Sequence, residues 1–104
     1  MKYAKSLLVA VILCASNAAL AAGDAAAGAG KAAVCAACHG PAGISMNPMW
    51  PNLAGQQEIY MSKQIKAFRD GTRTEPTMQP FVMNLTDQDA DDLAAHFSGL
   101  KACP

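Results

Sequence analysis

Apolar residues recur at helical spacing in three stretches of this chain and alternate with period two in none. The first stretch, 24 to about 36, is alanine-rich, and Asp24 stands where an N-cap belongs. The second, about 57 to 70, carries Ile59, Tyr60, Ile65 and Phe68 near helical spacing and meets its stop at Gly71. The third opens on Thr86-Asp87-Gln88-Asp89, a capping-box pattern, and runs through Ala90, Leu93, Ala94 and Phe97 to Gly99. The pattern predicts an all-α domain with three main helices. Two irregular stretches, 39–56 and 72–85, join them and are rich in Gly, Pro and Met. Loops of that length in a small domain usually have a job.

Before the first helix the pattern is that of an address. Lys2 and Lys5 form a positive start, 7–15 is an uncharged apolar run, and Ala19-Leu20-Ala21 offers small residues to a signal peptidase. The run is too short for a membrane span, which takes about 20 residues. Residues 1–21 are therefore read as a cleaved signal peptide and 22–104 as one domain. An uncleaved anchor helix fits the small-residue end less well. A lipid anchor on Cys14 would need a small residue where Leu13 stands. The expected location is the periplasm, with no stable membrane anchor.

Composition sharpens this picture once the leader is set aside. A domain this small buries little surface and usually needs a staple or a cofactor. Much of the apolar content is alanine, so the core looks sparse and in want of an apolar insert. The whole chain has 8 basic and 8 acidic residues. Losing Lys2 and Lys5 leaves a slightly acidic domain, which argues against nucleic acid and against a polybasic membrane surface. Three cysteines remain after Cys14 goes. An odd count does not suit a simple disulfide framework. It suits a used pair and a remainder, Cys103, which is either a free thiol or the link of a dimer.

The pair is Cys35-Ala36-Ala37-Cys38-His39, the C-x-x-C-H pattern of covalent haem c attachment. Two thiols at this spacing on a helix end can reach both vinyl groups along one porphyrin edge. The imidazole that follows then points at the iron. A thioredoxin-like redox pair would want a preceding strand, which the pattern lacks. A structural zinc site would need four ligands, and only His96 and Cys103 remain as further candidates.

An electron-carrying haem needs a sixth ligand, and methionine both closes the site and raises the potential. Met61 belongs to a helix and reads as core. Met46 and Met49 follow His39 too soon for the chain to pass around the macrocycle. Met78 and Met83 remain, the former bracketed by Pro76 and Pro80, which stiffen the segment. His96 would serve a bis-histidine site, but it flanks the apolar face of the last helix. The acidic run Asp87, Asp89, Asp91 and Asp92 reads as a complement to a helix dipole before it reads as a docking patch.

On these residues the chain resembles the class I c-type cytochromes, in particular small bacterial monohaem members and single halves of periplasmic dihaem cytochromes. The resemblance covers nearly all of 22–104. It rests on Gly23-Asp24-Ala25-Ala26-Ala27-Gly28, the C-A-A-C-H-G segment, Pro51-Asn52-Leu53-Ala54-Gly55-Gln56, and Met78 followed by Leu85-Thr86-Asp87-Gln88-Asp89. It implies the cytochrome c fold, with the helices and long loops wrapped around one haem. It selects Met78 as the axial methionine and His39 as its opposite. It implies that the Pro51 carbonyl accepts a hydrogen bond from the second nitrogen of His39. By the same analogy Gly28 admits a close approach of the first helix to the last, near Ala94 or Phe97, and Trp50 and Tyr60 line the haem, with ordinary core as their alternative. Arg73 reads as a solvated arginine.

The function implied is outer-sphere electron transfer between redox partner proteins, without enzymatic chemistry of its own. The small net charge implies docking not dominated by long-range steering. The rivals are a haem subunit of a larger dehydrogenase or oxidase, and a sensing haem with an open sixth site, which would bind carbon monoxide.

Overall fold

The computed structural model describes residues 23–103; the proposed signal peptide, Cys14 and Pro104 lie outside them. Among the described residues five helices follow in chain order: α1 (Ala25–Lys31), α2 (Ala33–His39), α3 (Glu58–Asp70), α4 (Gln79–Val82) and α5 (Asp87–Ser98). No described residue belongs to a strand. The three expected helices are present, with two differences.

The first stretch is two helices. Asp24 caps α1 as expected, its carboxylate accepting from the N–H groups of Ala26 at 2.9 Å and Ala27 at 3.3 Å. At Ala32 the ladder fails: its N–H makes only a long bond of 3.4 Å to Ala29 O, three residues back. The chain restarts as α2, with Ala32 O accepting from Cys35 and Ala36 at 3.0 Å each. Ala32 is buried in the core cluster, so packing overrides an alanine run that reads as one continuous helix. The second difference is α4, a single turn inside what reads as a loop. Pro80 sits in its first turn, where a missing N–H costs no hydrogen bond.

The capping box of α5 is present in full. Thr86 Oγ1 accepts from the Asp89 N–H and Asp89 Oδ2 from the Thr86 N–H, both at 3.0 Å. α3 ends at Gly71.

α1 and α3 both pack on α5. At the α1 contact, a Cβ on Gly28 would stand 1.9 Å from Asp92 O and 2.9 Å from His96 Cβ. The close approach thus falls at Asp92 and His96, a different face of α5 from the expected Ala94 and Phe97. Asp92 reinforces the contact. Its side chain is almost fully buried and accepts from Asp24 N at 2.8 Å, Lys31 Nζ at 2.6 Å and Gln88 Nε2 at 2.7 Å. The other three acidic residues are also paired. Asp87 meets Arg69 at 2.8 Å, Asp89 meets Lys31 at 2.8 Å, and Asp91 meets Lys66 at 2.9 Å and the Ser62 hydroxyl. The run does place Asp87 and Asp89 in the first turn of α5. Its larger work is to fasten α1 and α3 to that helix.

The core gathers Ala32, Met61, Leu93, Ala94 and Phe97, with Cys35, Leu53, Ile65, Leu85 and Leu100 around them. Burying Met61 and Phe97 contributes about 1.5–3 kcal/mol each. Of the buried apolar side chains described, only Ala90 and Ala94 reach 0 % exposure, and no large one is completely enclosed. The sparse core expected from the alanine content is what the fold contains.

Candidate functional site

The attachment motif lies at the C-terminal end of α2, where residues three apart share one face. Cys35 and Cys38 are both free thiols, half-buried on that face. Cys35 packs against the core cluster, and burial pushes its thiol pKa up. His39 is the last residue of the helix and is buried, at 6 % exposure.

A buried imidazole needs partners, and His39 has one: Nδ1 lies 2.7 Å from Pro51 O. A carbonyl only accepts, so Nδ1 carries a proton and Nε2 is the nitrogen left to act as a ligand. The chain after His39 turns sharply at Gly40, where φ is +84°. A side chain there would collide with Ile44 O, 1.9 Å from the Cβ position.

Residues 43–54 form a knitted loop that carries Pro51. Gly43 O accepts from Leu53 N at 2.8 Å and Ala54 N at 3.0 Å. Asn52 Oδ1 accepts from Ser45 N at 2.7 Å. Asn47 O accepts from Trp50 N at 3.1 Å and from Ser45 Oγ at 2.9 Å. Sequence reading passed over Ser45 and Asn47 and gave Asn52 no role. Their residue types, short polar side chains that satisfy loop backbone, were the available signal.

Trp50 is 37 % and Tyr60 48 % exposed, so neither is core. Met49, Ile59, Phe81 and Met83 are also exposed large apolar residues. Met78 is half-buried at the start of α4. Its N–H donates to Glu75 O and its carbonyl accepts from Phe81, each at 3.0 Å, which fixes its backbone. Met83 ends the same turn and is exposed; Met46 is almost fully so. Met61 is core, as expected.

Two other expectations are refined. Arg73 has partners: its guanidinium lies 4.5 Å from the Phe68 ring centroid and donates to Gln64 Oε1 at 2.9 Å. His96 sits on the α1–α5 contact with its ring edge-on to Phe97, centroids 5.0 Å apart. Cys103 is exposed. Among the described residues no three His, Cys, Asp or Glu side chains gather as a metal cage. Two surface grooves, of about 420 and 250 Å³, run along α3 past Ile59, Ser62 and Lys66 and include none of the residues singled out as a site.

These observations fit a covalently held haem. The donor set is two thiols and an imidazole with its free nitrogen fixed by the bond of the other. Large apolar side chains stand uncovered on the loop before α3, on the first turn of α3 and on α4, while the core lacks a large enclosed group.

Comparison with known proteins points the same way. The family model described as "Cytochrome c" matches residues 25–101. Cytochrome c4 of Pseudomonas aeruginosa is 54% identical over 81 residues, covering 78% of this chain and 40% of that protein. Cytochrome c-554(548) of Halomonas halodenitrificans is 46% identical over 80 residues, covering 74% of this chain and 96% of that protein. The crystal structure of reduced recombinant cytochrome c4 from Pseudomonas stutzeri superposes with a TM-score of 0.73 at 44% identity, over 76% of this chain and 46% of that one. The chain thus spans about half or less of the length of these cytochrome c4 relatives and nearly the whole of the shorter one.

Proposed function

Because this chain belongs to the cytochrome c family, we propose that it is a one-electron carrier whose haem c is attached through Cys35 and Cys38 and whose iron is held by His39 and Met78. The observation that carries the reading is the His39–Pro51 bond of 2.7 Å beside a pair of free thiols on one helix end. When bound, haem c supplies a ferrous/ferric couple that passes one electron and breaks no substrate bond.

The residues divide the remaining work. Cys35 and Cys38 would each hold the haem through a thioether, and their spacing on α2 lets both serve one porphyrin edge. His39 offers Nε2, while its Nδ1–H bond to Pro51 O fixes the ring and makes it a stronger donor. Met78 would supply a soft thioether to the iron, a ligand type that raises the potential. Trp50, Tyr60 and Phe81, all exposed, would lose water contact against a bound haem. Residues 1–21 direct export to the periplasm, where donor and acceptor proteins exchange electrons with it. The reading makes it a carrier without an enzymatic step of its own.

The test is an absorption spectrum of the exported protein, made alongside the haem-attachment machinery. Colour that survives denaturation and a weak far-red band in the oxidised form are expected, with no carbon monoxide complex in the reduced form. A folded, colourless product overturns the proposal, and so does ready binding of carbon monoxide.

A further inference from the structure

Pro51 O reaches His39 across a loop, and a loop carbonyl is only as well placed as the bonds that hold it. Proline has no N–H, so Pro51 cannot fix its own backbone by donating. The two flanking residues do this instead. Trp50 N donates to Asn47 O at 3.1 Å, which closes a tight turn just ahead of the proline. Just behind it, the side chain of Asn52 accepts from Ser45 N at 2.7 Å.

We propose that Asn52 is a positioning residue for the axial histidine: its side-chain carbonyl clips residue 45 to residue 52 and so holds Pro51 O against His39 Nδ1. This rests on the reading of His39 as the iron ligand. The geometry requires an oxygen at that end of the Asn52 amide, because the facing group is a backbone N–H. Ser45 is itself anchored. Its hydroxyl lies 2.9 Å from Asn47 O and 3.3 Å from Cys38 O, and accepts from Asn47 N at 3.1 Å. The clip therefore stands on the same loop segment that follows the attachment helix, with Gly43 bonding Leu53 and Ala54 as the next link. Asn52 is exposed, so burial does not account for its 2.7 Å bond.

Loss of the clip should loosen the Pro51 carbonyl. The imidazole then loses anionic character, donates less to the ferric iron, and the midpoint potential rises. The Nδ1–H also becomes easier to exchange with water. The experiment compares Asn52→Leu, close in shape but without an acceptor, with Asn52→Asp, which keeps one. Haem spectra are recorded for both, with midpoint potential and Nδ1–H exchange by NMR on the intact holoprotein. Asn52→Leu should keep the methionine band, raise the potential and exchange its Nδ1–H several-fold faster. Asn52→Asp should hold exchange at the wild-type rate. If Asn52→Leu does not fold, the Asp variant decides, and faster exchange there overturns the inference. A folded Asn52→Leu protein with unchanged potential and exchange also overturns it. Absence of haem from the parent protein would instead defeat the ligand reading on which the inference rests.

Discussion

Asp92, near the middle of α5, accepts the main-chain N–H of Asp24 at 2.8 Å and so ties the start of α1 to the last helix. That N–H, then Lys31, then Gln88, hold the Asp92 carboxyl down to about 2, against an ordinary value of 3.8. Folding thus favours the ionised form. The stabilisation is complete above the unfolded value and is lost as pH falls from there through about 2. Asp92→Asn should be less stable than wild type at neutral pH, and the gap should close in that acid window. Denaturant unfolding of both proteins between neutral pH and about pH 2 measures it. A gap that stays constant throughout contradicts the assignment.

Two glycines of α1 make a matched pair. Alanine at Gly28 would push its methyl into Asp92 O, whereas a Cβ at Gly30 meets nothing within 4 Å. Gly30→Ala should gain about 0.5–1 kcal/mol from helix propensity. Gly28→Ala should lose about 2 kcal/mol or more from overpacking despite the same propensity gain. Chemical denaturation of the two variants reads both signs.

The sixth ligand separates cleanly by substitution. Met78→Ala should abolish the far-red band, lower the potential and admit carbon monoxide, because a soft thioether leaves the iron. Met83→Ala should do none of these, since the reading gives the iron to Met78 and Met83 stands one turn further on, at the end of α4. Spectra of the two oxidised proteins suffice, and exchanged results would move the ligand to Met83.

Phe97 is 2 % exposed and Met61 4 %, and both belong to one core cluster. Phe97→Ala should cost about 3–5 kcal/mol and Met61→Ala about 2–5 kcal/mol. In a core otherwise rich in alanine there is little bulk to close either cavity, so values near the upper ends are expected. Melting of the holoprotein, followed at a haem band and by far-UV dichroism, measures both.

Much of the architecture was legible because local chemistry and tertiary packing agree. Asp24, Gly71 and the Thr86 box mark helix ends, and the structure ends its helices there. The break at Ala32 was illegible because alanine favours helix on both sides, and only packing against Met61, Leu93 and Phe97 decides otherwise. The turn of α4 was hidden because Pro76 and Pro80 read as loop punctuation. The pairings of Asp87, Asp89, Asp91 and Asp92 were missed because their partners, Arg69, Lys31 and Lys66, lie on other helices at separations no periodicity reports. In the site, the order Cys35, Cys38, His39 announces its chemistry directly. The Ser45–Asn52 bond does not, since it depends on how one loop folds back on itself.

The interruption at Ala32 has an engineering consequence. Upstream of it lie the residues that lock against Asp92 and His96; downstream lie the thiols and the imidazole. Helix docking and cofactor attachment therefore draw on separate modules of one short chain. Variants of the upstream module can be screened for robustness while the half-wave potential stays put, and loop variants can shift that potential on an unchanged chassis.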